Sequence, residues 1–242
     1  MIVRVLAAVL CLLLSVISAK AETVRFAHQQ HFPPFVDDQN GKADGLFVDI
    51  LQAASARVGI EPQFVPVPFE DVQRTVTDGR ADAIFPIAIT PERRENFDFT
   101  DPFLMTGGAL YVRAGEATPE NLAALSGKIV VTPRTGPLAA FIQKTAPDVK
   151  LELTENYEDS LARLVSGKAD AAALNFQVGV VLAARLYPGQ VTIPRTMFSQ
   201  APLTVAVRKG QNGELLTRLN TGLAAIKTDG TWQKITDHWM QR

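Results

Sequence analysis

Cysteine is nearly absent: the 242-residue chain has one, Cys11. A single thiol excludes an internal disulfide framework, and its place in an apolar leader leaves the rest of the chain without thiol chemistry. Stability must therefore come from a packed core, which this length can bury as one domain or as two. Histidine is almost as scarce, with only His28, His31 and His238. The spacing of His28 and His31 across a proline-containing turn lacks the i, i+4 geometry of a zinc helix, so neither metal nor cofactor is expected. An excess of charge is missing too, since 24 Lys and Arg stand against 25 Asp and Glu. No basic block marks a nucleic-acid surface and no low-complexity tract marks a tail. The nearest thing to a linker is the short stretch Gly115 to Pro119.

The chain opens with Arg4, an apolar run from Val5 to Ile17 broken only by Ser15, and then Ala19-Lys20-Ala21. At 13 residues the run is too short to span a membrane, which takes about 20. A basic start, a short apolar core and small residues at −3 and −1 describe a secretory signal peptide over residues 1–21, cleaved after Ala21. Removing Arg4 and Lys20 takes the net charge from −1 to −3. Cys11 follows Val9-Leu10 and not a small residue, so no lipid anchor is expected. The expected product is a soluble exported protein.

What is present begins with a repeat. Gly79-Arg80-Ala81-Asp82-Ala83 returns 88 positions later as Gly167-Lys168-Ala169-Asp170-Ala171. Each copy follows an amphipathic stretch, Asp71 to Asp78 or Asp159 to Ser166, and leads into an apolar run. Glycine just past a helical stripe is a helix stop, because the reversing residue needs positive φ. Helix, glycine stop and buried strand thus occur once in each half, which argues for two similar α/β lobes with a cleft between them.

Further strands are expected at Val24 to Ala27, Phe64 to Val67, Tyr111 to Arg113, Ile129 to Thr132, Val149 to Leu153 and Leu203 to Val207. Helices are expected at Leu46 to Val58, from Gly136-Pro137 to Lys144, and at Val178 to Leu186, Gly213 to Lys227 and Thr231 to Trp239. Pro33-Pro34 forces a turn, and Val36 to Asp44 reads as a polar loop.

Thr90-Pro91-Glu92-Arg93 is the sharpest local feature. Thr90 suits an N-cap, Pro91 the first helical position and Glu92 the positive end of the dipole. Arg93 opposes that dipole, which makes sense where guanidinium and backbone N–H groups face one anion. The alternative is surface pairing of Arg93 with Glu92, Glu95 or Asp98.

The ordered set Phe32-Pro33-Pro34-Phe35, Gly45-Leu46-Phe47-Val48-Asp49, Phe69, Gly79-Arg80-Ala81-Asp82, Thr90-Pro91-Glu92-Arg93 and Phe97-Asp98-Phe99-Thr100-Asp101-Pro102-Phe103 resembles the family 3 periplasmic solute-binding proteins. The match continues through Gly167-Lys168-Ala169-Asp170, Ala206-Val207-Arg208-Lys209-Gly210 and Lys227-Thr228-Asp229-Gly230-Thr231-Trp232 to Trp239. The resemblance implies an α/β, two-lobed type II clamp joined by two hinge strands, acting as a periplasmic receptor for an ABC importer. It implies a discontinuous first lobe, 22–110 plus 205–242, a second lobe, 111–204, and a monomer. By the same resemblance Arg93 grips the ligand carboxylate, and Phe32, Phe69, Ile87, Ala88, Pro137, Leu138 and Asn175 line the pocket. Phe35 is expected in the core.

The departures from the family pattern are as informative. Ala88 stands where a hydroxyl residue is usual, Asn175 where an aspartate holds the ligand ammonium, and Pro137 where Ser or Thr assists the carboxylate. Gln29 replaces a common aspartate, and the interval from Asp82 to Arg93 is one residue short. A buried ammonium without a countercharge is costly, so the expected ligand carries an anionic group and less positive charge than an amino acid. Asp37, Asp49 and Glu158 look structural or surface-bound by pattern, and Arg134 is a candidate second anion ligand. Two rival functions remain: a dehydratase on the same fold, for which His28 and His31 offer the general acid or base, and a sensory module without transport.

Overall fold

The computed structural model describes residues 21–39 and 41–240. The predicted leader, with Cys11, lies outside the described residues apart from Ala21. From Glu22–Gln29 (β1) the chain passes through His31–Phe32 (β2), Val36–Gln39 (β3) and Lys42–Asp44 (β4) into helix Leu46–Ala56 (α1) and strand Ile60–Val67 (β5). A 3-10 turn at Phe69–Asp71 precedes Val72–Thr77 (α2), Ala83–Ala88 (β6), the single turn Pro91–Arg94 (α3), Phe97–Phe99 (β7) and the long strand Leu104–Arg113 (β8). Next come Ile129–Pro133 (β9), Leu138–Thr145 (α4), Lys150–Thr154 (β10), Tyr157–Val165 (α5), Ala171–Asn175 (β11), Phe176–Leu186 (α6) and Val191–Thr192 (β12). A second long strand, Phe198–Arg208 (β13), leads to Gly213–Thr228 (α7) and Thr231–Met240 (α8).

Hydrogen bonding orders the main strands β10-β9-β11-β8-β13-β6-β1-β5. At one end β6, β1 and β5 are parallel; at the other β11, β9 and β10 are parallel. Between these groups β8 and β13 run antiparallel to each other and to their outer neighbours. Parallel strands need crossover helices, so each group is a helix-covered α/β lobe. The chain passes between lobes along β8 and returns along β13, which makes those two strands the connection of a bilobed clamp.

The repeat has a physical cause. Gly79 and Gly167 both sit at φ +76°, ending α2 and α5 in the left-handed region that glycine enters without strain. Three residues later the aspartate pins the next strand to its neighbour. Asp82 Oδ2 accepts from the backbone N–H of Arg25 at 2.8 Å, and Asp170 Oδ2 accepts from that of Ile129 at 2.8 Å. In return the N–H of Asp82 donates to Arg25 O and that of Asp170 to Ile129 O, each at 2.8 Å. The repeated aspartates are therefore strand clasps.

The first lobe's core is aromatic. Phe35 stacks on Phe47 at 4.6 Å between centroids, and Phe47 and Phe85 each meet Phe103 edge-on. Phe35 is buried, as expected, and each such ring contributes roughly 1.5–3 kcal/mol through burial. α7 supplies Leu215, Leu216, Leu219, Leu223 and Ile226 on one stripe, and packs on α1 where Gly222 meets the Ala54 carbonyl.

Three expectations need correction. Val36–Gln39 and Lys42–Asp44 are paired strands, β3 with β4, where a polar loop was expected. The connecting strands β8 and β13 are much longer than Tyr111 to Arg113 and Leu203 to Val207, because cross-strand pairing extends them through polar and glycine positions. α4 begins at Leu138 with Pro137 as its N-cap, one residue later than expected.

Candidate functional site

The cleft lies where β6, β8, β13 and the N-terminal ends of α4 and α6 converge, enclosing about 780 Å³ with its open mouth. Phe32, Phe69, Ile87, Ala88 and Arg93 line it from the β1–β6 side; Pro137, Leu138 and Asn175 line it from the β9–β11 side. Eight of the nine expected site residues are thus brought together. Arg134 is not among them. It is exposed at the rim, where its charge helps hold the Asp159 carboxyl low, behind the larger effect of the Arg163 hydrogen bond.

Arg93 is the centre of the site. Thr90 caps its short helix, its Oγ1 accepting from the Arg93 N–H at 3.3 Å, and Pro91 occupies the first position. This fixes the backbone so that the side chain turns inward and is only 9% exposed. Nη1 donates to the Ala88 carbonyl at 2.7 Å, and the guanidinium carbon lies 5.8 Å from the centre of the Phe69 ring. No described carboxylate pairs with it, so the surface-pairing alternative fails. Glu92 and Glu95 remain exposed, and Asp98 accepts from the Gly210 N–H at 2.8 Å. Burial pulls the Arg93 pKa below its ordinary value, partly offset by the charge of Glu92. An arginine remains protonated regardless, so its guanidinium keeps four donor hydrogens beyond the one given to Ala88. The helix carrying it has four residues, too few to add much dipole of its own.

Arg93 is the single charged side chain among the described residues lining the cleft. The carboxylates that sequence pattern left as possible intruders are engaged elsewhere. Asp49 Oδ2 accepts from Trp239 Nε1 at 2.8 Å. His31 holds the other two, Asp37 Oδ1 at 2.6 Å through Nδ1 and Glu158 Oε1 at 3.1 Å through Nε2. Because Glu158 belongs to α5 and His31 to β2, this last contact joins the two sides of the cleft.

Asn175 is at the wall but already occupied. Its Oδ1 caps α6 by accepting from the Val178 N–H at 3.2 Å, and its Nδ2 donates to Thr106 Oγ1 at 2.6 Å. Thr106 in turn donates to Gln177 Oε1 at 3.1 Å. Gln29 also lines the cleft, its Nε2 donating to the His31 carbonyl at 2.8 Å.

Sequence reasoning missed Thr106, Gly107, Gly108, Tyr157, Ser199 and Leu203, all of them lining residues. The doublet Gly107-Gly108 was the available sign. A Cβ on Gly108 would lie 2.6 Å from Phe198 Cζ and 2.7 Å from Leu138 Cδ2, so glycine lets both side chains approach the connecting strand. Tyr157 gave no sign, because its role depends on where α5 packs; desolvation, then the charge of Glu158, pushes its phenol pKa up.

Comparison with known proteins places this geometry. The family model for bacterial extracellular solute-binding proteins, family 3, matches residues 24–242. The chain belongs to this family. Its assignment is to solute-binding proteins, so the chain is a binding protein and not an enzyme, and its location is that of exported bacterial receptors. Among curated family members, the ABC transporter arginine-binding protein 1 of Escherichia coli (strain K12) is 30% identical over 235 residues, covering 92% of each chain. The solved structure of an ancestral arginine-binding protein bound to arginine aligns with TM-score 0.79 at 32% identity, covering 91% of this chain and 99% of that one. A histidine kinase sensor domain with similarity to periplasmic binding proteins aligns with TM-score 0.82, covering 91% of this chain and 96% of its own; at 24% identity it shows the shared fold alone.

Proposed function

We propose that this family 3 protein is the periplasmic receptor of an ABC importer and captures a small solute, an amino acid or a related compound, by its carboxylate. The observation that carries the reading is Arg93: a buried cation, unpaired by any described carboxylate, on the wall of the interlobe cleft. A buried charge without a partner is costly, and a ligand carboxylate supplies the partner. The E. coli relative's name, an arginine-binding protein of an ABC transporter, supports both the ligand class and the permease as partner. The first lobe comprises residues 22–110 and 205–242, the second 111–204, with cleavage after Ala21 releasing a lipid-free monomer. Phe32, Phe69 and Ile87 form one wall; Pro137, Leu138 and Asn175 form the other. Arg134 is left out of the ligand shell.

Closure follows from contacts made to both lobes. A ligand shifts an open–closed equilibrium only by its differential affinity for the closed form. Calorimetric titration of the mature protein with small carboxylic acids and their methyl esters, paired with small-angle scattering, tests the reading. Acids are expected to bind and lower the radius of gyration while esters do neither; esters binding as well as acids would overturn it.

A further inference from the structure

We infer that the cleft selects small monocarboxylic acids with apolar bodies that lack an α-ammonium group, over the amino acids of the same carbon skeleton. This rests on the reading of Arg93 as the carboxylate anchor and adds what stands opposite it.

Charge is the first argument. With one cation and no acid among its described lining residues, the cleft reaches neutrality when it takes up a monoanion. A zwitterion leaves the site with the positive charge it began with, and its ammonium must lie within a few ångströms of the guanidinium that holds its carboxylate. Closing such a site strips water from an ammonium without supplying a countercharge. Asp37 and Glu158, the two acids that contact His31, do not line the cleft.

Acceptor supply is the second argument. Three hydrogen-bond acceptors on the wall are already engaged: the Ala88 carbonyl by Arg93, Asn175 Oδ1 by the Val178 N–H, and Thr106 Oγ1 by Asn175. The side-chain oxygens left, on Gln29, Thr132, Thr135, Tyr157 and Ser199, are neutral, as are the backbone carbonyls. They suit a keto or hydroxyl oxygen and balance no charge. Phe32, Phe69, Ile87, Leu138 and Leu203 give the remaining wall an apolar character matched to an alkyl or aryl body.

The test uses mature protein freed of bound solute by unfolding and refolding. Calorimetric affinities are measured for 3-phenylpropanoate against L-phenylalanine and for 4-methylpentanoate against L-leucine, with 3-phenylpropanamide as the uncharged control. In at least one pair the acid is expected to bind about tenfold or more tighter than its amino acid, with the amide silent. Asn175→Asp, which keeps the helix cap and adds an acid to the wall, is expected to narrow that ratio. Amino acids binding as tightly as the acids, with the amide still silent, would overturn the inference and leave the carboxylate anchor standing. Amide binding equal to acid binding would overturn the anchor and the inference with it. A wild-type ratio that Asn175→Asp leaves unmoved, or silence of both acids, would also overturn the inference.

Discussion

Removing the guanidinium of Arg93 separates a binding role from a structural one. A carboxylate held by two charge-assisted hydrogen bonds gains about 1.5–3 kcal/mol from each. A Coulomb estimate for opposite charges about 4 Å apart at an effective dielectric near 20 is about 4 kcal/mol. These describe the same contact and do not add, so Arg93→Ala should cost about 3–5 kcal/mol of binding, roughly a hundredfold to a few thousandfold in Kd. Stability of the ligand-free protein should behave differently. The variant loses the 2.7 Å bond to Ala88 and the contact with Phe69, worth about 1 kcal/mol each. It also relieves the burial of an unpaired cation, which opposes that loss. The net change should stay within about 2 kcal/mol. Arg93→Lys keeps the charge but loses the planar fork, so it should bind weakly as well. Titration calorimetry reads affinity and urea unfolding reads stability. An Arg93→Ala protein that binds within about threefold of wild type refutes the reasoning. So does one that loses more than about 3 kcal/mol of stability, which would make Arg93 a structural residue.

Three further outcomes follow from local geometry. Gly108→Ala should push Leu138 and Phe198 off the connecting strand, costing about 1–3 kcal/mol and weakening ligand binding; unchanged melting and affinity would contradict the close approach. Asp170→Ala should cost about 1–2 kcal/mol by orphaning the Ile129 N–H, while affinity per folded molecule stays at wild-type level; a binding defect without a stability loss would speak against the clasp. His28 is fully buried, its Nε2 has no partner among the described residues, and desolvation lowers its pKa against a smaller raising effect of the Gln29 carbonyl. Below about pH 6.5 the unfolded chain takes up a proton that native His28 refuses, so stability falls as pH drops towards the lowered pKa, by at most about 1.4 kcal/mol per unit. His28→Phe should remove that part of the slope in urea unfolding between pH 5 and 7, and an unchanged slope would assign it to other groups.

The parts of the fold legible in sequence were those fixed by local chemistry. Gly79 and Gly167 marked helix ends because positive φ admits little else, and the stripe Leu215, Leu219, Leu223, Ile226 required a buried face. Long-range pairing was not legible. Thr106-Gly107-Gly108 looks like a loop until β13 lies alongside it, and Ser199-Gln200 forms an irregularity in β13 between Phe198 and Ala201, which pair with β8. The β3–β4 hairpin was missed although Asn40-Gly41 is a strong turn dipeptide, with Gly41 at φ +78°; only Val36 and Ala43 offered apolar residues to suggest strands. In the cleft, Arg93 was readable because Thr90 and Pro91 fix its helix start. Tyr157 and Ser199 were not, since nothing local says that α5 and β13 reach the same space.

The same layout separates affinity from closure. Arg93 follows β6 and keeps its bond to Ala88 on that strand, so its grip on an anion belongs to one side of the cleft. On the proposed reading it holds ligand in the open and closed forms alike, which raises affinity without driving the lobes together. Discrimination between the two forms must come from the other wall, where Asn175 and Thr106 are committed to each other and Leu138 presents an apolar face. The His31–Glu158 contact joins the two sides at the mouth without any ligand atom. On that reading closure depends on apolar burial against Leu138, on neutral oxygens such as those of Thr135 and Tyr157, and on a protein–protein contact, none of which supplies a countercharge for an ammonium. An amino acid gains nothing from its extra charge in either form, while a solute with a carboxylate and an apolar body uses both walls.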